Sequence, residues 1–314
     1  MNELTVIIPF LNEGREIYKT LASIRHTAGE RVDILLVNDW SDDRYDYEEW
    51  SKFFGTSYIR NDHRRGVAES RNIGVRNIQT EYFLIIDGHM RFYDDQWVEK
   101  LLSNLKQDER AIYCCKCRPL DVQGNLIQNK PSFGAFVGMD NQVLLPQWIR
   151  EDIHPDEKVV KIPCILGASY AGAKSYWEYL KGLDGLLNFG YDETYLSIKV
   201  WLEGGYCYLL KDVEIGHKFR DIPPYSLDQP KILFNKLLIL ETLFTEDHKE
   251  RIYNMIRKES GTLFRDAQMI YLDYLDEIER LRSYYDGIRT RDFDSFLSFN
   301  GKYSSLNQIP VCRI

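Results

Sequence analysis

The sequence predicts an α/β protein in which a mainly parallel sheet lies between helices and is followed by a helical appendage. From residue 4 to residue 118, short apolar runs alternate with amphipathic segments, an order typical of a parallel sheet covered on both faces. After residue 230 the apolar residues recur at spacings of three and four, which is the period of a helix. The 314 residues suffice for one large domain or two small ones.

The first half of the chain is predicted to alternate strands with helices. The predicted strands cover residues 4–10, 32–38, 57–60, 81–87 and 111–118, and the predicted helices cover residues 14–28, 66–77 and 96–107. Pro9, Asp39 and Asp87 fall at or just after the carboxyl ends of three of these strands. Because ligands of parallel sheets collect at such ends, the sequence predicts one crevice shared by these three residues.

The second half has a less regular pattern. Residues 119–162 show neither a helix nor a strand period, and a segment of that length is usually a lid or a substrate loop. Beyond it, strands are predicted at 162–172 and 206–211, and helices at 175–181, 194–203, 231–245, 246–259 and 263–286. We expect the helices after residue 230 to pack on the sheet as an appendage.

Composition and charge narrow the function classes. The formal net charge of −8 argues against binding to nucleic acid through a general positive field. No run approaches the roughly 20 apolar residues that cross a bilayer, although the helical tail leaves peripheral membrane contact open. The six cysteines are scattered and lie mostly in apolar runs, so we expect buried free thiols. These features predict a cytoplasmic protein, with the inner face of the membrane as an alternative location.

The run Asp87-Gly88-His89 follows an apolar strand and carries the clearest chemical signal. Because Asp87 and His89 are two residues apart, their side chains fall on the same side of an extended backbone. Gly88 lets another group approach the backbone closely. One oxygen ligand and one nitrogen ligand suit a divalent ion that also holds phosphates, such as Mn²⁺ or Mg²⁺. A strand end with a polar turn is the alternative for this run taken alone.

Four further segments combine strand ends with polar or basic turns. They are residues 8–13 (Ile-Pro-Phe-Leu-Asn-Glu), 37–43 (Val-Asn-Asp-Trp-Ser-Asp-Asp), 64–74 (Arg-Arg-Gly-Val-Ala-Glu-Ser-Arg-Asn-Ile-Gly) and 190–193 (Gly-Tyr-Asp-Glu). Together with the Asp-Gly-His run, this set resembles the GT-A glycosyltransferases. The first half is similar to family 2 of these nucleotide-sugar enzymes, whose Gly-x-x-x-Ala/Ser-Arg-Asn-x-Gly segment is matched closely by residues 66–74.

The second half resembles a narrower group, the polypeptide N-acetylgalactosaminyltransferases. The family 2 metal motif is usually Asp-x-Asp, whereas residues 87–89 show the Asp-x-His of that group. Its Gly-His-x-Phe-Arg segment is matched at residues 216–220, and its Trp-Gly-Gly-Glu-Asn segment is similar to residues 189–193. The resemblance covers roughly residues 4–245 and implies the GT-A (Rossmann-like) fold.

The resemblance also implies a division of the chain. A GT-A catalytic domain is expected over residues 1–230, with a nucleotide-binding part over about 1–118 and an acceptor or lid part over about 119–230. Residues 231–314 would then form a C-terminal helical extension.

The resemblance implies a metal site and a nucleotide-binding site. Asp87, His89 and His217 would be the metal ligands, leaving room for two phosphate oxygens of the leaving diphosphate. Asp39 would accept a hydrogen bond from uracil or ribose, and Arg71 would pair with the base edge, with Asp39 or with a phosphate. The other residues expected to bind the nucleotide sugar, besides Asp87 itself, are Pro9, Phe10, Glu13 and Gly88. Glu13 is equally readable as an ordinary acid at a helix start.

Asp192 and Glu193 are the expected catalytic residues. Inverting family 2 enzymes carry a Glu-Asp pair here, and its Asp deprotonates the acceptor hydroxyl, whereas this chain has the order Asp-Glu. In the retaining relatives, the acid aligned with Asp192 positions the sugar, and the leaving phosphate takes the proton. A helix N-cap followed by a first-turn acid is the purely structural alternative.

The sequence therefore predicts a metal-dependent glycosyltransferase that moves a hexose or N-acetylhexosamine from a UDP-sugar to a hydroxyl of a surface glycan, a lipid-linked sugar or a protein. A catalytically weak sugar-nucleotide or glycan-binding module on the same fold is the alternative. A nucleotidyltransferase fits less well, because residues 8–13 are not a glycine-rich basic loop. The donor sugar, the acceptor, the stereochemistry and the oligomeric state stay open at this point.

Overall fold

A computed structural model describes residues 2–127, 132–139, 144–220 and 224–306 of the chain. The strands are β1 (Leu4–Phe10), β2 (Asp33–Asn38), β3 (Ser57–Arg60), β4 (Tyr82–Ile86), β5 (Met90–Phe92), β6 (Ala111–Pro119), β7 (Ala135–Val137), β8 (Pro146–Trp148), β9 (Val159–Ile162), β10 (Ser169–Ala173) and β11 (Tyr206–His217). The helices are α1 (Arg15–Ala28), α2 (Tyr47–Phe53), α3 (Val67–Asn77), α4 (Trp97–Leu105), α5 (Lys174–Tyr179), α6 (Asp192–Glu203), α7 (Gln229–Leu243), α8 (Glu246–Ser260), α9 (Thr262–Asp273), α10 (Leu275–Ile288) and α11 (Phe293–Leu306).

A nine-stranded mixed sheet organises the described residues. Its order is β3-β2-β1-β4-β10-β6-β11-β5, and β9 also pairs with β11. The strands from β3 to β4 run parallel, as do β6 and β11, while β10 is antiparallel to both of its neighbours. The short strands β7 and β8 form a separate ribbon. The predicted α/β class, with a mainly parallel sheet between helices and a helical appendage, is confirmed.

The packing of the core explains why the strands and helices of the first half could be predicted from the sequence. Strand β1 is buried along its whole length, which is why it appears as an unbroken apolar run rather than an alternating one. Helix α1 turns Ile17, Leu21 and Ile24 into the core at helical spacing. Helix α3 lies close to β1 because Gly74 faces the Ile7 side chain: a Cβ built on Gly74 would lie 2.3 Å from Ile7 Cγ2.

Two predicted elements were wrong. The strand predicted over residues 162–172 is split, since β9 ends at Ile162 and β10 begins at Ser169. The helix predicted over residues 263–286 is broken at Tyr274, whose ring packs 5.4 Å from that of Phe234, and α9 and α10 both pack on α7. Helices α2 and α11 and strands β5, β7 and β8 were not anticipated, because each is short or relies on partners distant in sequence.

The helical appendage begins at Gln229, where the Asp228 side chain accepts a hydrogen bond from the Lys231 backbone N–H. None of the helices in the described ranges combines the length and apolar character that crossing a bilayer requires. The cysteines within those ranges are buried and free, as expected, namely Cys114, Cys115, Cys117, Cys164 and Cys207. Cys312 lies outside the described residues, as do parts of the predicted lid at 128–131 and 140–143.

We predict that Gly74→Ala destabilises the protein, because its new methyl group overlaps the Ile7 side chain between α3 and β1. Overpacking of this kind costs about 1–3 kcal/mol of unfolding free energy, measurable by urea denaturation. Gly287→Ala in α10 is the matched control, since nothing lies within 4 Å of its added Cβ and the change raises helix propensity by up to about 1 kcal/mol. Because both substitutions raise helix propensity, a urea midpoint for Gly74→Ala as high as that for Gly287→Ala would contradict this packing.

Candidate functional site

A cavity of about 340 Å³ opens where the carboxyl ends of β1, β2 and β4 meet. Aromatic and aliphatic side chains line it together with a small group of charged ones, the composition usual for small-molecule sites. Every residue singled out from the sequence for nucleotide, metal or catalytic roles faces it: Pro9, Phe10, Glu13, Asp39, Arg71, Asp87, Gly88, His89, Asp192, Glu193 and His217.

Asp87, His89 and His217 form the metal-ligand cluster that the sequence suggests, with their ligand atoms all within 4.8 Å of one another. Asp87 follows β4, His89 precedes β5, and His217 ends β11, whose pairing with β5 joins His217 to Met90 in register. His217 Nε2 lies 3.2 Å from Asp87 Oδ2 and 3.1 Å from His89 Nε2. Sheet pairing thus brings together residues that are 130 positions apart in sequence.

Glu13 fixes the orientation of His89. Its Oε2 lies 3.1 Å from His89 Nδ1 and also accepts a hydrogen bond from Arg220. Because an ionised carboxylate only accepts, the proton of a neutral His89 belongs on Nδ1, which leaves the Nε2 lone pair facing the cluster. Gly88 makes this contact possible, since a Cβ there would lie 2.9 Å from Glu13 Cγ. Glu13 therefore contacts the candidate metal-ligand cluster directly, a contact that the sequence did not indicate.

The donor set suits a divalent cation. Burial lowers the pKa of His217, so its imidazole is neutral and can offer a lone pair at neutral pH. Burial works to raise the pKa of Asp87, but the hydrogen bond with His217 and the charges of His89 and Arg71 outweigh it and lower that pKa. One carboxylate and two imidazoles match the preferences of Mn²⁺ and related ions.

Arg71 is a buried bridge between the metal cluster and helix α6. Its guanidinium is hydrogen-bonded to Asp192, lies 3.6 Å from Asp87 Oδ1, and sits 5.1 Å from the centre of the Tyr170 ring. Burial alone would lower the pKa of Arg71, but the negative groups around it, with Asp192 the strongest, together outweigh burial and raise that pKa. Of the three alternative partners expected for Arg71, Asp39 is not contacted within the described residues, because α3 directs Arg71 toward α6.

Asp192 and Glu193 begin helix α6 and differ in environment. Asp192 accepts hydrogen bonds from Arg71 and, at 3.4 Å, from the Tyr170 hydroxyl. Burial, and then the neighbouring Asp192 charge, raise the pKa of Glu193 to about 8. Glu193 also presses against Gly167, where a Cβ would lie 1.9 Å from Glu193 Oε1. The pair thus consists of an ion-paired aspartate and a glutamic acid that is largely protonated at neutral pH.

Asp39 organises the loop that enters α3. Its Oδ1 accepts hydrogen bonds from the Asn61 amide and the Arg65 backbone N–H, and its Oδ2 accepts one from the Gly66 N–H, each at 2.8 Å. Asp39 Oδ2 retains capacity for a further donor, as the expected contact with uracil or ribose requires. The loop then touches Asn188, which Gly66 allows because a Cβ there would overlap the Asn188 backbone.

Backbone strain concentrates around the cavity. Six non-glycine residues within the described ranges have a positive φ. Five of them line the cavity or adjoin a lining residue, namely Asn12, Trp40, Leu144, Asn188 and Tyr191, while Lys181 lies elsewhere. Such conformations cost free energy and are kept where surrounding contacts enforce them. Their clustering indicates that tertiary contacts hold the loops around the cavity in these unfavourable backbone conformations.

Asn235 of helix α7 enforces part of that strain. Its side chain is fully buried, accepts from the Leu187 N–H at 2.8 Å, and donates to the carbonyls of Leu187, Phe189 and Gly190 at 2.9–3.2 Å. A residue of the helical extension thereby holds the turn that leads into Asp192.

Three aromatic side chains, Trp148, Phe189 and Tyr225, line the cavity, and Phe219 packs on one of them. Trp148 packs against Phe219 with ring centres 5.3 Å apart, and Phe189 lies 6.2 Å from Tyr225. Sequence reasoning placed none of them in the site, although three fall within or beside the quoted motifs and Trp148 lies in the predicted lid. Tyr170 and Gly167 were also missed, because their roles depend on contacts with Arg71 and Glu193.

Comparison with known proteins agrees with this geometry. Residues 5–156 match the family described as Glycosyl transferase family 2. The chain is 28% identical over 288 residues to the Homo sapiens protein named probable polypeptide N-acetylgalactosaminyltransferase 8, and 26% identical over 265 residues to Mus musculus polypeptide N-acetylgalactosaminyltransferase 12. These alignments cover 84% and 80% of this chain but 44% and 45% of the relatives. The chain thus spans less than half the length of these curated relatives.

Solved structures share the fold. GalNAc-T7, crystallised with UDP, GalNAc and Mn²⁺, matches with a TM-score of 0.80 at 19% identity, over 98% of this chain and 59% of that one. The S. aureus TarS 1–349 complex with UDP-GlcNAc matches with a TM-score of 0.53 at 13% identity, over 97% and 92%. The family 2 resemblance and the GT-A fold predicted from the sequence are therefore confirmed.

We predict that the stability of the protein carries a pH dependence due to Glu193. Its carboxyl has a pKa of about 8 in the folded chain and an ordinary value of 4.5, so between these values the folded state holds a proton that the unfolded state has released. This contribution to the unfolding free energy is complete below pH 4.5 and is lost as the pH rises to about 8. Glu193→Gln removes it.

Urea denaturation of Glu193→Gln and the wild type from pH 5 to pH 8 measures this effect. The stability of the variant relative to the wild type should rise steadily across that range. Glu279→Gln, at an exposed acid on α10, is the control and should show a constant difference. A constant difference for Glu193→Gln as well would rule out the protonated carboxyl.

Proposed function

We propose that this chain, a GT-A glycosyltransferase of the family 2 type, moves an N-acetylhexosamine or hexose from a UDP-sugar to a hydroxyl acceptor. The observation that carries the proposal is the convergence of Asp87, His89 and His217 beside the buried Arg71–Asp192 pair in one cavity. An N-acetylhexosamine is favoured, because the sequence relatives are named N-acetylgalactosaminyltransferases. Because this chain spans less than half the length of those relatives, its donor sugar requires a direct assay.

The metal cluster would hold Mn²⁺ or Mg²⁺ through one carboxylate oxygen of Asp87 and the Nε2 atoms of His89 and His217. A divalent ion in this position supplies Lewis-acid stabilisation of the leaving diphosphate. Glu13 would favour the His89 tautomer with its proton on Nδ1, which would leave the Nε2 lone pair free to bind the ion. The chain has an overall negative charge, so this local positive charge is what makes the cavity compatible with a diphosphate.

The nucleotide would lie between the ends of β1 and β2. Pro9 and Phe10 give this part of the cavity an apolar wall, and Phe10 is held by the Tyr47 ring at 4.6 Å. Asp39 Oδ2 would accept a hydrogen bond from uracil or ribose. Arg64, whose guanidinium lies 5.3 Å from the Tyr225 ring, lines the same cavity and would face the phosphates.

The sugar would lie against Asp192 and Glu193. Asp192 is committed to Arg71 and accepts hydrogen bonds from sugar hydroxyls through its remaining capacity, while Glu193 donates the proton that it keeps at neutral pH. Neither carboxyl is then a free base for the acceptor proton. We infer transfer with retention of the anomeric configuration, in which the leaving phosphate takes that proton, as the resemblance to retaining relatives implies.

The acceptor would bind beside the aromatic side chains at the cavity. Trp148, Phe189, Phe219 and Tyr225 offer flat apolar faces there, and such faces bind sugar rings and apolar side chains equally well. A surface glycan, a lipid-linked sugar and a protein hydroxyl all remain candidate acceptors. The predicted cytoplasmic location favours an acceptor presented at the inner face of the membrane.

We predict that UDP release from UDP-GalNAc or UDP-GlcNAc requires Mn²⁺ or Mg²⁺ and is lost in Asp87→Asn and His217→Ala. Glu13→Gln should keep the ligands but lower Mn²⁺ affinity about 10- to 100-fold, because it releases the orientation of His89. Calorimetry with Mn²⁺ and a UDP-release assay measure the two effects. His26→Ala, an exposed histidine on α1, is the control. Full activity in EDTA would refute the metal assignment.

We predict opposite outcomes for conservative changes at the acidic pair. Glu193→Gln should retain most of the turnover, since an amide also donates a hydrogen bond, whereas Asp192→Asn should lose at least about 100-fold because it leaves Arg71 without its buried anion. NMR of the product should show the donor anomer retained. An inverted anomer, combined with loss of turnover in Glu193→Gln, would instead identify Glu193 as a general base.

A further inference from the structure

Helices α3 and α6 carry Arg71 and Asp192, whose ion pair joins the two helices at the cavity. A second set of contacts joins the same helices away from the cavity. Arg71 of α3 bonds to Asp192 at the start of α6. Seven residues further along α6, about 10 Å at 1.5 Å per residue, Lys199 reaches the loop 180–184 that follows α5. A single ion pair leaves a helix free to pivot about it, whereas two separated contacts fix its direction.

The loop 180–184 is bound from α3 by Asn72, the residue next to Arg71. Asn72 Oδ1 accepts hydrogen bonds from the Leu183 N–H at 3.0 Å and the Trp177 indole at 3.2 Å, and its amide donates to Asp184 Oδ1 at 3.1 Å. Gly182 fits against this side chain because a Cβ there would lie 2.4 Å from Asn72 Oδ1. Asn72, the residue next to Arg71, therefore anchors the loop 180–184 to α3 through both polar atoms of its side chain.

Helix α6 binds the same loop through two side chains on one face. Lys199 Nζ donates to the carbonyls of Leu180, at 3.1 Å, and Gly182. The Tyr195 hydroxyl donates to the Asp184 carbonyl at 3.2 Å. Because Tyr195 and Lys199 follow Asp192 by three and seven residues, all three lie on the same side of the helix.

The helical extension completes this network through Tyr285 of α10. Its hydroxyl lies 3.1 Å from the Tyr195 hydroxyl and accepts a hydrogen bond from Lys199 Nζ at 3.3 Å. Within the described ranges, no carboxylate lies within ion-pair distance of Lys199, and burial lowers the pKa of Lys199 to about 7. The Lys199 ammonium is held instead by these hydrogen bonds and by the rings of Tyr195 and Tyr285, whose centres lie 4.1 and 5.2 Å from Nζ.

We infer that Tyr285 and Lys199 are positioning residues, through which the helical extension sets the direction of α6 and hence the placement of Asp192 and Glu193 against the donor. The inference rests on the proposed glycosyl transfer for its effect on turnover. It gives the extension a function in the reaction, in addition to the Asn235 contact that holds the turn before α6.

The test is Tyr285→Phe, which removes one hydroxyl and keeps the ring. Changes along a coupled network shift function by roughly 2- to 30-fold, and we expect UDP release to fall by about fivefold or more. Mn²⁺ affinity should stay within about twofold, because none of Asp87, His89 and His217 contacts the network. A purely structural defect would lower both together, and either that outcome or unchanged turnover would overturn the inference.

Tyr284→Phe is the matched control. It removes the hydroxyl of the adjacent α10 tyrosine, which donates to the Tyr179 carbonyl at 2.6 Å, one residue before the loop 180–184, and it keeps the ring that Lys181 contacts. This variant should leave turnover within about twofold of the wild type. Tyr195→Phe should resemble Tyr285→Phe, and the double variant should lose no more than either alone, since residues in one network are not additive. If the turnover loss of the double variant equals the product of the two single losses, the two tyrosines do not act through a shared network.

Amide hydrogen exchange of the unliganded protein separates this inference from the proposed function. Tyr285→Phe should raise exchange selectively in the first turns of α6, with Tyr284→Phe unchanged. Exchange that is unchanged in α6, or raised throughout the protein, would overturn the inference. If the wild type turns over no UDP-sugar while α6 responds as expected, the proposed function fails and the positioning network stands.

Discussion

A buried guanidinium links the two parts of this site. Arg71 touches Asp192 at the start of α6 and Asp87 beside the two histidines, so the metal cluster and the acidic pair share one cation. Its removal would leave two buried or half-buried carboxylates facing one another, which costs several kcal/mol. The same cation explains why adjacent acids behave differently: Asp192 has a positive partner, while Glu193, beside Asp192 and out of water, retains its proton. Site chemistry and site stability therefore depend on the same contact.

The surroundings of this pair are arranged to hold it still. The sheet supplies the ends that carry Asp87 and His217, Glu13 sets the ring of His89, and Asn235 holds a strained turn before α6. Strain is tolerated at such positions because several contacts enforce each unfavourable dihedral angle. In this arrangement the helical extension belongs to the reacting end of the site, although it contributes no residue to the metal cluster. Prearranged groups of this kind stabilise developing charge without reorganising during the reaction.

Local patterns made much of the architecture predictable. Buried strands appear in the sequence as apolar runs, and the polar residues at their ends line the cavity. The run Asp87-Gly88-His89 places two candidate metal ligands within three residues. The unpredicted features depend on distant contacts. Glu13 meets His89 across 76 positions and Tyr285 meets Lys199 across 86, and no local period signals either pairing. The break at Tyr274 likewise follows from packing on α7, which overrides continuous helical spacing in the sequence.

The central claim is that Asp87, His89 and His217 bind one cation that faces the leaving diphosphate. Electron spin echo envelope modulation of Mn²⁺ bound to the protein with UDP tests it most directly, because the method detects nitrogen bonded to the ion. We expect modulation from two imidazole nitrogens in the wild type and from one in His89→Ala and in His217→Ala. A spectrum of the wild-type complex without directly bound imidazole nitrogen would contradict it.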